Sequence, residues 1–68
     1  MFYTRTLSAK FLRECIGFDK YGNQINLDFN EAFKIALGEA KRFKKNIEIW
    51  HTGYDNIERK LTTVIYKP

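Results

Sequence analysis

Sixty-eight residues with a formal net charge of +4 and 16% aromatic content suit one compact domain, 1–68, near the lower size limit for a chain that folds on its own core. A single cysteine, Cys15, excludes an internal disulfide, and the lack of Cys/His pairs excludes a four-ligand structural zinc site. No apolar leader follows Met1-Phe2-Tyr3-Thr4-Arg5 and no apolar run approaches ~18 residues, so the expectation is a soluble protein, cytoplasmic in the producing or infected cell.

Residues 2–19 are rich in Thr, Phe, Leu and Ile and are expected to hold the first strand. Ser8 to Ile16 also has helical spacing at Phe11, Leu12, Cys15 and Ile16, with Ser8 as cap and Gly17 as stop. The strand is preferred because the turn that follows needs a partner for residues 24–29. Asp19-Lys20-Tyr21-Gly22 suits a type I turn closed by Gly22 in the left-handed region. Beyond it Ile25, Leu27 and Phe29 alternate with Gln24, Asn26 and Asp28, the pattern of a half-buried strand.

The period then turns helical. Asn30 is the expected N-cap, with Asp28 and Glu31 as a competing capping pair. Phe33, Ala36, Leu37, Ala40 and Phe43 form the expected core stripe, Ala32 lies on its edge, and Ile35 falls on the outer side beside Gly38 and Arg42. Lys41, Arg42, Lys44 and Lys45 complement the dipole at the helix end, and Asn46 is the expected C-cap. Ile47 to His51 returns as a strand, Gly53-Tyr54-Asp55-Asn56 supplies a turn, and Glu58 to Tyr66 is β-rich. The predicted fold is α+β, a small antiparallel sheet in ββαββ order with a single helix packed on one face.

Alternation in the last two strands bears on function. If Ile47, Ile49 and His51 face the helix, then Glu48, Trp50 and Thr52 face away from it. One helix covers one side of a sheet, so Trp50, with Val64 and Tyr66, is expected to form an aromatic patch on the other side. Trp and Tyr are common interface anchors, which makes this patch the candidate surface for a larger protein partner or a second copy of the chain. Arg59 and Lys60 are its expected charged rim. Ile35 and Arg42 form a second, smaller candidate surface.

An alternative uses Lys41, Arg42, Lys44, Lys45 and Lys67, with exposed aromatics, to bind nucleic acid. Catalysis is not expected. Cys15 and His51 are the only thiol and imidazole, the carboxylates lack metal-loop spacing, and the glycines are not spaced as a phosphate loop. No cofactor is implied. The expected role is a non-enzymatic inhibitor or adaptor that occludes a larger host protein, a style of product common in phages and mobile elements.

Overall fold

The computed structural model describes residues 1–8 and 11–68. In chain order they form β1 (Phe2–Thr6), β2 (Phe11–Glu14), β3 (Ile16–Phe18), β4 (Gln24–Asn26), α1 (Phe29–Phe43), β5 (Ile47–Thr52) and β6 (Glu58–Val64). A four-stranded antiparallel sheet has the order β2-β1-β5-β6, and β3 and β4 pair separately as a hairpin. The chain is α+β with one helix and a small antiparallel sheet. Four strand segments precede the helix, where ββαββ has two. No helix among the described residues is long and apolar enough to cross a membrane.

The hairpin turn follows from its sequence. Asp19 Oδ1 accepts from the backbone N–H groups of Tyr21 and Asn23, each at 2.9 Å, and Gly22 takes φ +83°. A positive φ is cheap for glycine and costly for a residue with a Cβ. Residues 11–14 and 16–18 are strand rather than helix, while Ala9 and Lys10, within the ambiguous Ser8–Ile16 stretch, lie outside the described residues.

Strand β4 stops at Asn26, three residues before Phe29, because Asp28 caps the helix. Asp28 is extended (φ −79°, ψ 178°), and its Oδ1 accepts from the Glu31 N–H at 2.9 Å. Asn30, the expected cap, already lies inside the helix. At the other end the cap is Lys44 rather than Asn46: Lys44 sits in the left-handed region at φ 56° and its N–H bonds to the Ala40 carbonyl. Asn46 instead uses Oδ1 to accept from the Tyr66 N–H at 2.8 Å.

The helix buries its alanines. Ala32, Ala36 and Ala40 join Cys15, Ile47, Ile49 and Val64 in the core, and Phe2, Leu12, Leu27, Ile35 and Tyr66 pack around them. Small side chains let the helix backbone approach the sheet closely, so the contact line runs along Ala32-Ala36-Ala40. Phe33, Leu37 and Phe43 consequently sit on its flanks, between 37% and 42% exposed. Ile35, expected on the outer side, is rotated onto the core edge.

Candidate functional site

Register assigns the two sheet faces. Thr4 and Thr6 lie opposite Ile49 and Ile47, on the face the helix covers. Tyr3 and Arg5 lie opposite Trp50 and Glu48, on the other face. There the Tyr3 and Trp50 rings stack with centroids 6.4 Å apart and 23° between planes. Phe11, opposite Arg5 on β2, brings its ring to 5.8 Å from Tyr3. The Arg5 guanidinium lies 4.7 Å from the Trp50 ring centroid, a cation–π distance.

A buried carboxylate orders this cluster. Glu48 is only 7% exposed, a costly position for a charge without partners. Its Oε1 accepts from Trp50 Nε1 at 3.0 Å, and Lys60 Nζ stands 3.8 Å from Oε2. The Trp50 indole is thus fixed along its edge by Glu48 and over its face by Arg5. Burial pushes the Tyr3 phenol above its ordinary range, and the Glu58 carboxylate pushes it further, with Arg5 opposing.

A β-bulge sets the rim. Ile49 pairs with Thr62 and Trp50 with Lys60, so Leu61 is the extra residue. Beyond the bulge the side-chain alternation of β6 is reset, which puts Lys60 on the Trp50 face. Leu61 remains 47% exposed and Phe11 53% exposed. The outer face is therefore a fixed Tyr3–Trp50–Arg5 centre with apolar side chains still in contact with solvent.

The other residues expected around Trp50 are elsewhere. Val64 pairs with Ile47 and is buried in the core, so it faces the helix. Tyr66 packs against the same core, tethered through its N–H to Asn46. Arg59 lies opposite His51 rather than Trp50, and donates to Asp55 Oδ2 at 2.9 Å. That contact holds the Asp55 carboxyl below its ordinary range and the Arg59 guanidinium above its own. Ile35 packs at the core edge, partly buried, and Arg42, two turns further along the same helix, lies 5.4 Å from the Phe43 ring centroid.

The basic residues are brought together. Lys44 and Lys45 line one cleft with Tyr66, and Lys41 and Lys67 line a second that also includes Tyr66, while Arg42 lines neither. Sequence reasoning put Glu48 on the Trp50 face but did not reach Tyr3, Arg5 and Phe11. Their signal was the alternation of Phe2, Thr4 and Thr6 with Tyr3 and Arg5, which acquires meaning only once β1 is known to pair with β5.

Cys15 is 0% exposed, and its thiol is pushed up by burial first and then by the Glu39 carboxylate. Both features oppose the thiolate that a nucleophile requires. Among the described residues no group of three or more His, Cys, Asp or Glu is placed to hold a metal ion. Compared with protein-family models, curated proteins and solved structures, the chain has no match.

Proposed function

We propose that this chain is a non-enzymatic protein-binding module that docks its outer sheet face on a larger protein and occludes it. The observation that carries the reading is the fixed Tyr3–Trp50–Arg5 cluster on the face away from the helix, flanked by exposed Phe11 and Leu61. Aromatic and arginine side chains held in one geometry lose little entropy on binding, and such residues dominate interface energetics. The anchor is Trp50 with Phe11 and Leu61, and Lys60 is the charged rim. The buried thiol favours binding over nucleophilic chemistry. An inhibitor or adaptor of the phage or mobile-element type acts in this way, through the surface it covers.

The test is capture from nuclease-treated lysate on immobilised wild-type chain, beside the variants Phe11→Ser and Leu61→Ser. Both substitutions fall on half-exposed side chains and are expected to leave the fold in place. The expected result is one stoichiometric protein retained by the wild type and lost from both variants. Equal retention by all three chains would move the interface off this face.

A further inference from the structure

Cations cluster at the C-terminal end of the helix, away from the acids at its start. Phe29 at the helix start packs on Phe2, and Phe2 on His51, so the start of α1 lies beside the end of β5. The acids Asp28 and Glu31 are at that end, Asp55 lies in the adjoining β5–β6 connection and Glu58 opens β6, with Lys34 paired to Glu31 and Arg59 to Asp55. The opposite end carries Lys41, Arg42, Lys44, Lys45 and Lys67. Among the described residues the lysines of that end make no salt bridge, whereas Lys34, Arg59 and Lys60 each make one. Complementing the helix dipole explains Lys41, Arg42, Lys44 and Lys45. It does not explain Lys67, which the chain brings back to Lys41 after β6.

Two clefts share the Tyr66 side chain at this end. One, of about 400 Å³, is lined by Lys44, Lys45, Thr6, Ser8 and Asn46 among others. The other, of about 190 Å³, is lined by Lys41 and Lys67 with Leu37 and Ile65. Neither lining contains a carboxylate. Asn46 accepts through Oδ1, which leaves its amide N–H₂ to donate. The Thr6 and Ser8 hydroxyls bond each other at 2.9 Å, which leaves that pair at most one O–H to donate. Lysines with hydroxyl and amide donors are the set that contacts phosphate oxygens in nucleic-acid complexes.

We infer that the Tyr66 end is a second binding site, for the phosphate groups of a nucleic-acid backbone. It is distinct from the outer sheet face and does not rest on the reading of that face. Contact is made by Lys41, Lys44, Lys45 and Lys67, with Thr6, Ser8 and Asn46 lining the larger cleft. Binding is sequence-independent, because phosphate contacts carry no base readout.

The test is fluorescence anisotropy with a labelled single-stranded oligonucleotide, a duplex of the same length and a poly-glutamate control, across 50 to 200 mM salt. Four phosphate contacts predict an affinity loss of roughly fifty- to hundred-and-fifty-fold over that range, with the smaller loss for the single strand. The combined variant Lys41→Ala, Lys45→Ala and Lys67→Ala lowers the slope of log affinity against log salt by about 2 for the single strand and nearly 3 for the duplex. Lys44 is left in place because its positive φ makes substitution a test of the cap. A control variant, Arg13→Ala, Lys20→Ala and Lys34→Ala, removes the same charge elsewhere and keeps the slope. Circular dichroism and Tm confirm that both variants are folded. No binding at 50 mM salt, equal loss in the two variants, or equally tight binding to poly-glutamate would overturn the assignment.

Discussion

Tyr3 and Trp50 stand opposite each other across the β1–β5 seam with their rings stacked, yet only Trp50 meets solvent appreciably; Tyr3 is 4% exposed. The outer face thus has its own small core, and its residues divide into those that hold the sheet and those free to meet a partner. Tyr3→Ala is expected to destabilise the fold by about 3 kcal/mol, the range of aromatic truncations at buried sites. Phe11→Ser is expected to cost under about 1 kcal/mol, since the side chain is half exposed. Urea denaturation of the two variants checks the division, and equal losses would contradict it.

Thr4 carries a hydroxyl in the wrong place for stability. It is fully buried opposite Ile49, and its Oγ1 has no hydrogen-bond partner. Thr4→Val keeps the shape and removes the unpaired group, which is expected to stabilise the chain by about 1 kcal/mol. At this chain length that raises Tm by roughly 4–8 °C. A calorimetric scan reads it directly, and a lowered Tm would mean that the hydroxyl is satisfied in solution.

The helix cap gives a paired prediction. Asp28→Ala removes the acceptor for the Glu31 N–H and is expected to cost about 1 kcal/mol. Asn30→Ala, an exposed position inside the helix, is expected to change stability by no more than about 0.5 kcal/mol. Denaturation midpoints for the pair check this, and the reverse order would return the cap to Asn30.

The raised Tyr3 phenol makes stability depend on alkaline pH. Its folded pKa lies above the unfolded value of about 10, so the unfolded chain releases that proton first. The contribution is fully present below the unfolded value and is lost as pH rises through the folded one. Tyr3→Phe is therefore expected to lose less stability than the wild type as pH rises above about 10. Stability measured at about pH 8 and at several points above about pH 10 tests the sign. Parallel curves would remove the phenol from the account.

The sequence made the helix and its two following strands legible because their periods, 3.6 and 2, are long and uninterrupted. The helix orientation was less legible. Phe33 and Leu37 dominate a hydrophobicity pattern, while the contact line is set by which side chains are small enough for close approach, here Ala32, Ala36 and Ala40. Parity put Trp50 opposite the Ile47 and Ile49 side, as found. It could not place Val64 or Arg59, because that depends on the β5–β6 register and on the bulge at Leu61, both set by pairing between segments. The Tyr3–Phe11 half of the outer face stayed hidden for the same reason. Its residues become neighbours of Trp50 only through the pairings of β1 with β5 and of β2 with β1.

The most direct test of the outer-face interface is titration calorimetry of the captured partner against the wild type, Trp50→Ala and Leu61→Ser, with Tm recorded for each chain. The account predicts that folded Trp50→Ala loses at least about 2 kcal/mol of binding, roughly thirtyfold in Kd. Leu61→Ser, at the exposed edge of the same face, is expected to weaken binding while its Tm stays close to that of the wild type. Wild-type affinity in either folded variant would contradict the claim that this face meets the partner.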